Sequence, residues 1–278
     1  MTTLDLATII PMAVVATLFL QVVVSRSLRV REKALHDGDH TVKVEDLQHE
    51  GLHLARRVQH AATGLLFYGI SYTDLTYRYR PVAVATLLVC SLGVYLVHLV
   101  RLRNPQVREF LARTYASILR PKELQGAIPG AFFFLLGVGL AGLAVTLSIE
   151  YGGNAEEQAM IAWRLGLLYL SLGDPIAAIV GTYVSSRQRE KTPGKTWYGS
   201  LACFITCALC TLGETSLHMS DRLAMNHELI LLVVVGGFIG MFAERFSIGD
   251  DNLSIPLLST GVLLTLQHSR LQKDRSEL

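Results

Sequence analysis

Residues 158–184 read QAMIAWRLGLLYLSLGDPIAAIVGTYV, with Arg164 and Asp174 the two charges in the run. A stretch this long and this apolar reaches across a bilayer core, which takes about 20 mostly apolar residues. Working outward, seven more blocks have the same character: Ile9–Val24, Val58–Tyr72, Pro81–Val100, Gly126–Ile149, Trp197–Gly213, Glu228–Ala243 and Ser254–His268. With Gln158–Val184 as the fifth, they make eight candidate spans. The second, seventh and eighth are short, so seven to nine remain open. The expected fold class is all-α: a polytopic membrane protein of about eight transmembrane helices, with cytosolic interfacial helices. Residues 1–55 read as a signal-anchor helix and a juxtamembrane segment, 56–268 as a membrane catalytic domain, and 269–278 as a polar tail. The first block lacks a basic n-region and a small-residue cleavage site, so it reads as an anchor rather than a signal peptide.

Composition supports this. The chain is 51% hydrophobic and 17% charged, with mean hydropathy +0.39. A soluble domain carries about 25% charged residues, and a disordered chain is poor in apolar ones. A net charge of +2 gives no basic surface for nucleic acid. Cys90, Cys203, Cys207 and Cys210 are too few and too clustered for a disulfide framework. The last three line one face of span six with no His or acidic residue, as small residues do at a helix contact. There is no internal repeat.

Lysine and arginine set the orientation. Of the 25, 18 fall in the loops after spans one, three, five and seven, and 6 on the opposite side. Cytoplasmic loops carry the excess, so both termini are expected outside the cytoplasm. In Arg101–Leu124, Val107, Leu111, Tyr115 and Ile118 recur at helical spacing with Arg108, Arg113 and Lys122 between them. A basic amphipathic helix of this kind lies on an anionic leaflet. Arg26–Gln59 is similar but richer in His and acidic residues.

His49-Glu50-Gly51-Leu52-His53 satisfies H-E-x-x-H, in which two His four apart hold zinc and the Glu activates water. Gly51 disfavours a rigid helix there, no third ligand follows at the usual spacing, and the segment is polar. The hydrated face of an interfacial helix is the better reading.

Three segments carry chemistry. A charge inside a membrane helix is expensive and usually functional. Asp174 precedes Pro175, which removes a helix hydrogen bond, and freed carbonyls beside a carboxylate suit a hard cation. Arg164 is ten residues away, about 15 Å along a helix, too far for a direct pair. The loop Arg187–Ser200 has Gly194 and Gly199 for close backbone approach. Its Lys191 and Lys195 suit phosphate oxygens, and Thr196 and Ser200 add hydroxyl donors. The stretch Ala243–Leu257 sets Glu244, Asp250, Asp251 and Asn252 between two spans. One or two carboxylates plus phosphate oxygens are the usual way to hold Mg²⁺.

These residues resemble the CTP-dependent lipid-alcohol kinases, comprising dolichol kinase, phytol kinase and the CTP-dependent diacylglycerol kinase. The resemblance rests on Gly173-Asp174-Pro175-Ile176-Ala177-Ala178, on Lys195-Thr196-Trp197-Tyr198-Gly199-Ser200, and on Glu244 with Asp251-Asn252-Leu253-Ser254-Ile255-Pro256. Arg56-Arg57-Val58-Gln59-His60 through Gly64, and Leu119-Arg120-Pro121-Lys122-Glu123, are similar to two further family motifs. Tyr198 stands where several members have Glu. The Lys-Thr-x-x-Gly pattern also resembles phosphatidate cytidylyltransferases.

The resemblance implies Mg²⁺-dependent transfer of the γ-phosphate of CTP to a membrane lipid alcohol at the cytosolic face. The alcohol would be diacylglycerol or a prenol such as phytol, polyprenol or dolichol. Asp174 and Asp251 would hold the metal, with Asp250 a further candidate ligand and the reserve for the base. Lys191, Lys195, Thr196, Gly199, Ser200, Asn252, His60 and Arg120 would bind CTP or organise its site. Glu244 would act as base. The expected partners are CTP, the lipid alcohol and the bilayer, with a homo-oligomer open and nucleic acid excluded. The location would be the endoplasmic reticulum membrane or a plastid in a eukaryote, and the inner membrane in a bacterium. The alternatives are a cytidylyltransferase making CDP-diacylglycerol and, in another class, a lipid transporter.

Overall fold

The computed structural model describes residues 44–115, 119–151, 155–187, 195–218, 227–247 and 249–276. These are helical, with no strand among them. In chain order the helices are α1 (Val44–Ile70), α2 (Asp74–Arg78), α3 (Arg80–Arg103), α4 (Pro105–Tyr115), α5 (Pro121–Leu124) and α6 (Gly130–Glu150). They continue as α7 (Glu156–Leu168), a π-helical turn (Tyr169–Gly173), α8 (Asp174–Arg187), α9 (Trp197–His218), α10 (His227–Arg245) and α11 (Asp251–Ser276).

Four helical segments are long and apolar enough to cross a membrane: Arg80–Arg103, Gly130–Glu150, Glu156–Ser185 and Trp197–His218. They contain the third, fifth and sixth candidate spans and all of the fourth but its first four residues. The first candidate, Ile9–Val24, lies outside the described residues, as does the tail beyond 276. The seventh and eighth fall within α10 and α11, and the second within α1 except for its last two residues; these helices are not among the four.

Helix α1 runs unbroken through Gly51, so the His49–His53 segment is helical, as expected of it despite the glycine. The cost of one glycine, about 1 kcal/mol, is small within a helix of 27 residues. One local expectation needs correction: the basic stretch 101–124 is not one interfacial helix, since α4 ends at Tyr115 and Pro121 starts the separate α5. Ile118 lies outside the described residues.

The long run 156–187 is the centre of the bundle. Pro175 has no N–H to give to the carbonyl of Ser171, and its ring crowds that carbonyl. The backbone answers with the π-helical turn Tyr169–Gly173 directly before Asp174, a distortion frequent at functional sites. Close helix approach depends on glycines. A Cβ on Gly137 of α6 would sit 2.4 Å from the Asn252 carbonyl oxygen of α11. That carbonyl is the one Pro256 cannot bond, being four residues ahead of it. A Cβ on Gly166 would likewise strike Thr260 Oγ1.

The helices share two ends. At one, Asn252 Nδ2 donates to the Gly130 carbonyl at 3.1 Å, Gly130 N–H to Glu123 at 2.9 Å, and Arg57 to Thr182 Oγ1 at 3.1 Å. At the other, Arg80 pairs with Glu156 at 2.6 Å and Gln267 Nε2 donates to the Gln158 carbonyl. Helices α3 and α6 therefore run antiparallel.

Between these ends lies Arg164, fully buried. It pairs with Glu214 of α9 at 3.5 Å, bonds His218 Nε2 at 2.9 Å, and donates to Tyr77 Oη at 2.6 Å and the Ser71 carbonyl at 3.3 Å. Its guanidinium stacks 3.8 Å over the Tyr72 ring.

Candidate functional site

Lys195 opens the approach to α9 and is the centre of a charged group. Its ammonium donates to Asp251 Oδ1 at 2.6 Å and Ser247 Oγ at 3.0 Å, and to the Glu244 carbonyl oxygen. The Glu244 carboxylate is 3.5 Å away and accepts from Ser200 Oγ at 3.4 Å. Glu244 lies in the last turn of α10 and Asp251 starts α11, so one short connection presents both to Lys195. Ser247 also donates to Asp251, and Arg245 to the Lys195 carbonyl. Arg245 lies 4.8 Å over the Trp197 ring. Together these contacts fold the acidic turn onto the start of α9.

Asp174 faces the same group from the first turn of α8. Its charge is felt by Lys195, and by Arg57 and Arg56 on α1. Among the described residues, no hydrogen bond to its carboxylate is formed. Its helix neighbour Arg164 is engaged elsewhere. Ala177, Gly181, Thr196 and Gly199 form the floor: Thr196 Oγ1 accepts from Gly199 N–H at 3.1 Å, and a Cβ on Gly199 would lie 2.6 Å from the Ala177 carbonyl oxygen.

The charges tune one another. Burial pulls Lys195 down, but the Asp251 hydrogen bond and the charges of Asp251, Glu244 and Asp174 outweigh it and leave the ammonium above its ordinary value. Burial pushes the Glu244 carboxyl up, with Lys195 opposing and Asp251 assisting.

A second cluster adjoins through residues 250–252. Arg120 Nη1 pairs with Asp250 Oδ2 at 3.0 Å, and its N–H donates to Glu123 at 2.9 Å. Asp250 also accepts from the Asn252 N–H at 3.1 Å. Asp250 is thereby bound to Arg120 and not drawn into the Lys195 group. Asn252 ties the acidic turn to the start of α6. His60, on α1, donates from Nε2 to the Leu170 carbonyl in the π turn at 3.1 Å and stands edge-on to Phe134. Lys191 lies outside the described residues.

A cavity of about 500 Å³ opens beside this second cluster, between α1, α3, α4 and α6. Its polar lining includes Arg56, Gln59, His60, Glu123 and Asn252. Gln59 and Ser247 were not singled out from sequence. Ser247 sat inside the quoted acidic stretch, while nothing marks a lone Gln at a span's edge.

The donor set suits a small hard cation, since Asp174, Glu244 and Asp251 offer only carboxylate oxygens against one ammonium. Among the described residues, no group of three or more His, Cys, Asp or Glu is arranged to hold a metal by itself. A cation here would need oxygens from a bound phosphate, which is how Mg²⁺ usually sits. Cys203 and Cys207 are buried 3.9 Å apart, with Cys207 against Gly173 and Gly240, packed at the helix contact.

No family model matches the chain, and no solved structure matches it. The chain is 29% identical to an uncharacterized protein of Rickettsia prowazekii (strain Madrid E) over 188 residues, covering 65% of this chain and 81% of that one.

Proposed function

We propose that the protein is an integral membrane kinase that moves the γ-phosphate of CTP to a lipid alcohol at the cytosolic surface. The carrying observation is the assembly around Lys195. Three sequence segments, around Asp174, Lys195 and Glu244–Asn252, converge there, with Lys195 and Asp251 touching across 56 residues of sequence. One cation among three carboxylates is a poor resting arrangement and a good phosphate–metal seat.

Lys195 would leave Asp251 to meet triphosphate oxygens, with Thr196, Ser200 and the first N–H groups of α9 beside it. Asp174 and Asp251 would hold Mg²⁺, which neutralises charge on the phosphates when bound. The lipid hydroxyl attacks the γ-phosphorus in line. The O–Pγ bond forms as the bond to the β-phosphate oxygen breaks, CDP leaves, and Glu244 takes the hydroxyl proton. Arg120, Asp250 and Asn252 hold the acidic turn.

Eight spans, with these loops in the cytosol, remain the preferred topology. Support comes from apolar side chains left exposed at helical spacing on α10 and α11: Leu231, Val234, Phe238, Phe242, Leu258 and Val262. Contiguous apolar patches of this size mark a membrane or a partner.

The test is label transfer by purified, bilayer-reconstituted protein given CTP labelled at the α or the γ position, Mg²⁺ and a panel of lipid alcohols. γ-label in the lipid is expected. α-label in the lipid, with phosphatidate as acceptor, would establish the cytidylyltransferase instead. No turnover with any alcohol would overturn the kinase.

A further inference from the structure

The cavity beside the second cluster has direction. Helix α1 brings Arg56, Gln59 and His60 to its Lys195 end and Phe67 to its depth. Antiparallel α3 brings Arg101 and His98 to the same polar end and Gly93 and Cys90 to the depth. Phe134 and Leu135 of α6 complete a deep apolar wall, and Leu111 and Tyr115 of α4 close the near side.

Two of its charged groups, Arg101 and Glu123, are hydrogen-bonded, and the third, Arg56, stands in the field of nearby carboxylates. Arg101 Nε donates to His98 Nδ1 at 3.1 Å, Glu123 accepts two N–H groups, and Arg56 faces the charges of Glu123 and Asp250. Beside these charges, two hydrogen-bond acceptors are left over. Gln59 is 7% exposed and its Oε1 has no partner among the described residues. His60 spends its Nε2–H on Leu170, so Nδ1 of the neutral ring is a second acceptor with no bond among the described residues. A buried acceptor without a donor costs about 1–3 kcal/mol.

We infer that this cavity takes the hydrocarbon tail of a single-chain alcohol, whose hydroxyl donates to Gln59 at the polar end, beside the phosphoryl-transfer group. A hydroxyl brings the donor that Gln59 Oε1 lacks, whereas an ionised phosphate would bring that oxygen only further acceptors. About 500 Å³ lies within the range of about 300–1,000 Å³ that holds one small ligand, so one chain enters rather than two. Gln59 is then a specificity-determining residue. The inference rests on the kinase reading for its substrate but not for its site.

The experiment uses the full chain in bilayers, with a long-chain primary alcohol carrying a photoreactive diazirine. Labelled residues are mapped, with no CTP present. Labelling of the α1, α3 and α6 walls is expected, competed by the unlabelled alcohol better than by its matching alkane, by diacylglycerol or by a single-chain lipid phosphate. Gly93→Trp should abolish labelling without lowering the melting temperature, because a Cβ at Gly93 meets nothing within 4 Å. Gln59→Leu should keep labelling but lose the preference for alcohol over alkane, about tenfold for one hydrogen bond. Labelling only of outward faces, or a diacylglycerol or phosphate that competes better, overturns the assignment. A retained alcohol preference in Gln59→Leu overturns the role of Gln59. Alcohol phosphorylation that survives Gly93→Trp overturns the cavity and leaves the kinase. Cavity labelling with no CTP turnover supports the cavity and overturns the kinase.

Discussion

Arg164 is paired with Glu214, 50 residues away on α9, and not with Asp174 on its own helical run. The consequence for Asp174 is direct. A carboxylate inside the central span has lost its one candidate structural counter-ion, so its charge answers to Lys195, Arg57 and Arg56 instead. Two separate charge systems follow, one buried around Arg164 and Glu214 and one partly exposed around Lys195.

The buried system is testable alone. Glu214 Oε2 accepts from both Tyr68 and Tyr72 at 2.6 Å. Arg164→Leu should cost about 3–5 kcal/mol, the usual result of stranding one member of a buried pair. Arg164→Leu with Glu214→Leu should recover most of that. Thermal unfolding in detergent reads both. A single variant as stable as wild type would show the pair to be idle.

Lys195→Ala should remove most turnover while the protein still inserts, since a charge-assisted bond to phosphate is worth about 1.5–3 kcal/mol. Lys195→Arg should recover part, because a planar fork replaces a point charge. The variant leaves Asp174, Glu244 and Asp251 without their ammonium. Added Mg²⁺ should therefore raise its melting temperature more than that of wild type, by binding the folded state. Equal shifts in the two proteins would mean that the carboxylates do not form a cation seat.

Much of this was legible in the chain and some was not. The central span announced itself by its apolar run, and the Asp174-Pro175 pair marked where that run is distorted. The π turn did not show, because Pro175 requires only that a bond be lost and the packing of α1, α9 and α10 decides how the backbone closes the gap. The site segments were legible because their residue types are rare next to a membrane. Glu214 escapes a sequence reading because the apolar run of span six ends at Gly213 and its partner lies across the bundle. Gln59 was missed because an uncharged polar residue at a span's edge has no pattern.

Glu244 supplies a pH test. Burial holds its carboxyl above the ordinary 4.5. A raised carboxyl favours the folded state below the unfolded value, and that contribution is lost as pH rises through the folded value. Glu244→Gln should abolish this loss. In activity the sign reverses, since the base must be ionised: wild-type turnover should rise with pH through a limb above 4.5. The Gln variant should show low turnover without that limb, at an unchanged Mg²⁺ requirement. A limb that persists in the variant would assign the proton to another group.

Asp174 and Asp251 act in the proposal as one unit, and units are non-additive. Asp174→Asn and Asp251→Asn should each abolish turnover and raise the Mg²⁺ concentration needed for any residue of it, and the double variant should be little worse than either. The structural competitor can be tested in the same assay. If Asp174 served only to balance Arg164, replacing both with Leu would restore activity. The Arg164–Glu214 pair says it will not, because removing Arg164 strands Glu214 and removing Asp174 leaves the Lys195 group with one carboxylate fewer. Phosphoryl transfer at the wild-type rate by the Arg164→Leu, Asp174→Leu protein would take Asp174 out of the site.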